Sequence, residues 1–113
     1  MEINKNHVLD NQEPAFGYTL SIINGKWKLQ VIYHLSRSGV IRYNELQRRI
    51  GKITHKTLST TLKEMIRDGI IHRKEYPQIP PKVEYSLTEK GHSLWPIIQE
   101  MCQWGLDNQP FEE

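Results

Sequence analysis

Along the stretch Ile53 to Gly69, Lys56, Thr60, Lys63 and Arg67 recur every three or four residues, with Ser59 on their flank. At about 100° per residue these side chains share one helix face. The face holds bases and hydroxyls and no acid. Ammonium and guanidinium groups neutralise phosphates, while small polar groups reach base edges in a groove. Such a set suits a polyanionic duplex. The competing interpretation is a solvated helix face that is merely basic.

Other chemistries lack their residues. The five histidines, His7, His34, His55, His72 and His92, stand at no usual metal spacing from one another or from the single cysteine. There is no Gly-rich phosphate loop, no nucleophile elbow and no acid pair placed for proton transfer. No catalytic, cofactor or metal site is expected, and the chain does not read as an enzyme. Cys102 excludes an intramolecular disulfide, which fits a cytoplasmic protein. It falls within an apolar arc, so a buried, inert thiol is expected.

The elements that would position the basic face follow from periodicity. On its far side, Leu58, Leu62, Met65 and Ile66 form an apolar stripe, with Thr54 as N-cap and Gly69 just past the end. Upstream, residues 1–13 are polar and without period, a flexible arm. A short helix is expected from Pro14 to Ile23, ended by Asn24-Gly25. Lys26 to Ser36 is apolar nearly all round and reads as the buried central helix. Val40 to Tyr43 favours a small strand, and Asn44 to Ile50 a short helix with Leu46 and Ile50 inward. Helix, Gly-containing turn and polar-faced helix together form a helix-turn-helix signature.

After Gly69 the period changes to two. Ile70 to Tyr76 and Lys82 to Leu87 read as strands around the rigid loop Pro77 to Pro81. A hairpin placed here is a wing, with Arg73, Lys74 and Lys82 as its bases; the alternative is that they only protect an edge strand. Thr88 caps a last helix that Pro96 should kink near His92. There Leu94, Ile97, Ile98, Met101, Cys102, Trp104 and Leu106 span an arc of roughly 200°. That is more than one small domain covers, and a second copy is the simplest partner.

At 113 residues the chain is most simply one domain, 14–107, with an acidic tail at 108–113. The net charge of +2 conceals a division. Between Arg42 and Lys74 nine bases face three acids, a balance of +6, which leaves −4 for the remainder. A basic centre between acidic ends is the footprint of a polyanion-binding surface. No apolar run reaches membrane-spanning length and no secretory leader is evident at the N-terminus.

The chain resembles the HxlR-type winged helix-turn-helix transcription regulators, within the MarR-like superfamily. The matching segments are Ile23-Asn-Gly-Lys-Trp-Lys-Leu, Arg42-Tyr-Asn-Glu-Leu-Gln-Arg-Arg-Ile, Ile53-Thr-His-Lys-Thr-Leu-Ser-Thr-Thr-Leu and Asp68-Gly-Ile-Ile-His-Arg. The wing, Tyr76-Pro-Gln-Ile-Pro-Pro-Lys-Val-Glu-Tyr-Ser-Leu-Thr, is the most specific, and Met101-Cys-Gln-Trp-Gly closes the match. The resemblance implies a homodimer held by the first and last helices, which would use Tyr18, Ile22, Leu94, Ile98, Met101, Cys102, Trp104 and Leu106. Some members carry a Cys before a Pro-Val near the first helix. Here Gln12-Glu-Pro-Ala15 has none, so a cysteine switch at that place is not expected.

The expected fold is α+β, mainly α: a winged helix-turn-helix domain with an extra N-terminal helix and a long C-terminal dimerisation helix. The expected function is regulation of transcription by a homodimer on an inverted-repeat operator in double-stranded DNA. His55, Lys56, Ser59 and Thr60 are the candidates for base edges. Lys63, Arg67, Arg73, Lys74 and Lys82 are the candidates for phosphate contacts. The alternative is a winged helix that binds protein without specific DNA binding. Whether a small-molecule effector exists, and whether the outcome is activation or repression, is open at this level.

Overall fold

A computed structural model describes residues 5–110, with side-chain surroundings from Gln12 onward. The elements in order are α1 (Lys5–Ile23), α2 (Lys28–Ser38), β1 (Val40–Arg42), α3 (Tyr43–Ile50), α4 (His55–Arg67), β2 (Ile71–Tyr76), β3 (Lys82–Leu87), α5 (Glu89–His92) and α6 (Trp95–Asn108). The three strands form one antiparallel sheet in the order β1-β3-β2. The fold is α+β, mainly helical: a winged helix-turn-helix with a helix added at each end.

The core gathers what periodicity placed inward. Val31, Ile32 and Leu35 of α2 are fully buried, as are Leu46 of α3 and Leu58 and Met65 of α4. Ile41, Ile71, Tyr85 and Leu87 close it from the sheet side. Each full burial of such a side chain contributes roughly 1.5–3 kcal/mol. One member of the expected α4 stripe is corrected: Ile66 is 36 % exposed, and Thr61, 8 % exposed, takes the buried place instead. The inward stripe of α4 is thus Leu58, Thr61, Leu62 and Met65, spaced as i, i+3, i+4 and i+7.

Two boundaries differ from the sequence expectation. α1 starts at Lys5, nine residues before Pro14, which lies inside it, so residues 5–13 are not a loose arm; residues 1–4 lie outside the described residues. A proline in a helix removes one N–H bond but does not forbid continuation, and Lys5, Leu9, Gln12 and Glu13 are adequate helix formers. At the other end the expected kinked helix is two helices. Ser93 and Leu94 separate α5 from α6, and Pro96 falls in the first turn of α6, where its missing N–H costs nothing. The tail is helical to Asn108, and residues 111–113 lie outside the described residues.

Candidate nucleic-acid interface

The α3–turn–α4 unit holds the basic face by contacts the sequence encodes locally. Gly51 closes α3 at φ 98°, a left-handed conformation that favours glycine. The Gln47 side-chain amide donates to the Ile53 carbonyl at 3.2 Å across the turn. Thr54 caps α4, its hydroxyl accepting from the Thr57 N–H at 3.1 Å. From the other side the largely buried Lys28 of α2 reaches Glu64 at 3.3 Å. The apolar stripe packs inward, so Lys56, Thr60, Lys63 and Arg67 are all exposed on the outer face.

Electrostatics leave this face net positive. Glu64 is held by Lys28, and Asp68 lies 3.4 Å from Arg67. Glu45 is engaged by Arg48 and by Arg49, the latter at 2.9 Å. Lys56 and Lys63 take part in no ion pair among the described residues. Exposed pairs of this kind are weak, so Arg67 can exchange Asp68 for a phosphate.

At the first turn of α4 the two base-edge candidates His55 and Ser59 meet a residue that sequence reading had assigned only to a strand. The Tyr43 hydroxyl lies 2.7 Å from His55 Nδ1, 3.1 Å from the His55 carbonyl oxygen and 3.1 Å from Ser59 Oγ. The two rings stack at 5.1 Å with 14° between planes. Tyr43 is instead the first residue of α3, and no periodicity signal marks it as a partner of α4.

The wing is a hairpin in which Tyr76 pairs with Lys82 around a five-residue loop, 77–81. Lys74, two residues before Tyr76, shares its face, and Lys82 stands directly across the strand. Their ammonium groups lie 4.9 and 4.5 Å from the Tyr76 ring centre, a cation–π clamp that places both bases near the wing tip. The Tyr76 hydroxyl, then Lys82 and Arg42, hold the Glu84 carboxyl below the usual carboxylate range. Arg73 is differently occupied: its guanidinium donates a hydrogen bond to the Tyr85 hydroxyl, which, with Glu75 at 3.6 Å, raises it further above its ordinary value.

Between α3 and the wing lies a cleft of about 570 Å³ lined by Arg42, Asn44, Arg48 and Lys82, with Pro80 and Pro81 on its wing side. No helical or strand period in the sequence marks Arg42 and Arg48 for this cleft. What brings them here is the β1–β3 pairing, Arg42 opposite Glu84.

The residues named for self-association divide by burial. Ile22 and Ile98 are each 6 % exposed and belong to the core of the single chain. Leu94 is half-buried, while Tyr18, Met101, Cys102, Trp104 and Leu106 are exposed. The buried thiol expected of Cys102 is corrected: it is exposed, on the rim of a groove between α2 and α6 that Leu29, Tyr33, His34 and Met101 also line. α2 covers only the strip of α6 around Ile98, and the apolar arc of α6 is wider than that strip.

The family model for HxlR-like helix-turn-helix proteins matches residues 22–113. An HTH-type transcriptional regulator of Halalkalibacterium halodurans is 57% identical over 105 residues, covering 93% of each chain. The HTH-type transcriptional regulator YdzF of Bacillus subtilis is 50% identical over 101 residues, covering 89% of this chain and 93% of that one. Among solved structures, the redox regulator HypR in its oxidized form superposes with a TM-score of 0.78 at 45% identity, covering 86% of this chain and 99% of that one. The reduced form of the transcriptional regulator YodB from B. subtilis gives 0.76 at 33% identity, covering 88% and 97%.

Proposed function

Because the chain belongs to the HxlR-like helix-turn-helix family of transcriptional regulators, we propose that it regulates transcription as a homodimer bound to an inverted-repeat operator. In this reading α4 enters the major groove, its N-terminal turn towards the bases, and the wing lies against the flanking backbone or minor groove. The observation that carries it is the outer face of α4: exposed Lys56, Thr60, Lys63 and Arg67, with Glu64 drawn off by Lys28 of α2 and Asp68 beside Arg67 at the helix end. His55, Lys56, Ser59 and Thr60 contact base edges. Lys63, Arg67, Lys74 and Lys82 contact phosphates, with Arg73 contributing once Glu75 releases it.

Self-association rests on the unpartnered helices. Phe16 and Tyr18 of α1 and Met101, Trp104 and Leu106 of α6 are exposed, Trp104 and Leu106 at 69 and 67 %. The radius of gyration is 17.0 Å, against about 13 Å for a compact chain of this length. The extents of 57 × 43 × 25 Å likewise describe a chain with projecting parts, which supports a partner for them. Ile22 and Ile98 would back the interface from inside the protomer. A two-fold dimer would set its two α4 helices about 34 Å apart, one turn of duplex.

The test combines sedimentation with selection of bound fragments from random duplexes. The expected result is a dimer at micromolar concentration and a selected inverted repeat. A monomer, or fragments without a shared sequence, would overturn the reading.

A further inference from the structure

The contacts around Tyr43 constrain the protons of His55. A phenol carries one proton and two lone pairs. The His55 carbonyl can only accept, so the 3.1 Å contact to it takes the Tyr43 proton. The 2.7 Å contact to His55 Nδ1 then requires Nδ1–H to donate to the Tyr43 oxygen. The second lone pair receives the Ser59 hydroxyl proton at 3.1 Å. This is the one assignment in which all three contacts are hydrogen bonds at once. It leaves His55 Nε2 deprotonated in the neutral ring, and without a hydrogen-bond partner among the described residues. It also commits the Ser59 proton inward, so that Ser59 Oγ offers outward only lone pairs.

We propose that Tyr43 is a positioning residue that holds His55 in its Nδ1–H tautomer, so that the first turn of α4 presents acceptors and reads an exocyclic base amine. The major-groove amines are adenine N6 and cytosine N4, whereas guanine N7 and O6 and thymine O4 are acceptors and would be rejected at this place. The near-parallel stacking of the Tyr43 and His55 rings holds the imidazole plane as well as its protons. The proposal rests on α4 being the base-reading helix, and its experiment separates the two.

The first measurement needs no DNA. Long-range ¹H–¹⁵N spectra of the full-length protein at about pH 9, where free imidazole is neutral, should show His55 protonated at Nδ1. In Tyr43→Phe, which keeps the ring and loses the hydroxyl, His55 should shift towards Nε2–H. A wild-type His55 protonated at Nε2 would overturn the proposal whatever the protein binds. The second uses a duplex selected by the wild-type protein from a random pool. At the base pair where His55→Ala loses discrimination, removing the exocyclic amine (purine in place of adenine, or 2-pyrimidinone in place of cytosine) should weaken wild-type binding about tenfold. Tyr43→Phe should be nearly insensitive to that change while still binding. If the wild type instead depends on guanine N7 there, read with 7-deazaguanine, the proposal falls. If no duplex is selected, the base-reading role of α4 fails and the tautomer assignment is still decided by the spectra.

Discussion

A Cβ built on Gly91 would stand 2.2 Å from the carbonyl oxygen of Ile70. α5 thus rests directly on the backbone that leaves α4. Thr88 binds the same place: its hydroxyl donates to the Gly69 carbonyl at 2.5 Å and accepts from the Gly91 N–H at 3.0 Å. Lys90 adds a bond to the Asp68 carbonyl at 3.0 Å and one to the Tyr18 hydroxyl at 2.6 Å. The end of α4 is therefore tied to α1 through α5. Gly91→Ala should cost about 1–3 kcal/mol, the range for overpacking a closed contact. Urea unfolding reads it, and a midpoint equal to wild type would show that the contact relaxes freely.

Lys56→Ala and Thr60→Ala should each weaken binding to a selected operator far more than to random duplex. Both are exposed near the N-terminal end of α4, and a lost base contact costs ~1–3 kcal/mol. Equal losses on both duplexes would place the two side chains on phosphates.

Lys74→Ala should lower affinity for every sequence and flatten its dependence on salt by about one unit. Adding Arg73→Ala should flatten it by less than a second unit, because Tyr85 and Glu75 already occupy that guanidinium. Titrations across several salt concentrations measure the slopes; wild-type slopes would mean that the wing bases face solvent in the complex.

His34 should make the fold sensitive to mild acid. Burial, and then the nearby Arg49 and Arg37 charges, push its imidazole below the ordinary value of 6.5. The unfolded chain therefore takes up the proton first. The stability this group contributes is complete above its ordinary value and is lost as pH falls towards the lowered one. Urea midpoints at about pH 7.5 and about pH 5.5 should differ less in His34→Gln than in wild type.

Mild peroxide should leave operator binding nearly unchanged. Cys102 is exposed but sits in a helix that has no Lys or Arg to stabilise a thiolate, and the chain has no second cysteine to resolve a sulfenic acid. Operator affinity before and after treatment, with a non-reducing gel of the same samples, checks this. Loss of binding that Cys102→Ser prevents would make the protein a thiol switch through an intersubunit bridge.

Period and punctuation in the chain determined most of the scaffold. The 3.6-residue stripe of α4, its Thr54 cap, Gly51 and Gly69 as stops, and the two alternating strands around Pro77 to Pro81 are local properties, each set by residues a few positions apart. The basic outer face was legible for the same reason, since the helix period alone puts Lys56, Thr60, Lys63 and Arg67 together. The tertiary structure decided what depends on residues far apart in the chain. Tyr43 meets His55 and Ser59 only because the turn folds α3 back on α4, and Arg42 reaches the wing only because β1 pairs with β3. It also decided which apolar residues are spent inside. Ile22, Ile98, Met101 and Trp104 lie on helices of similar pattern, and period alone does not say which of them a neighbour covers. Burial of the first two and exposure of the others follow from how little of α1 and α6 the neighbouring helices cover. Periodicity states that a face is apolar; which neighbour covers it is a property of the packed whole.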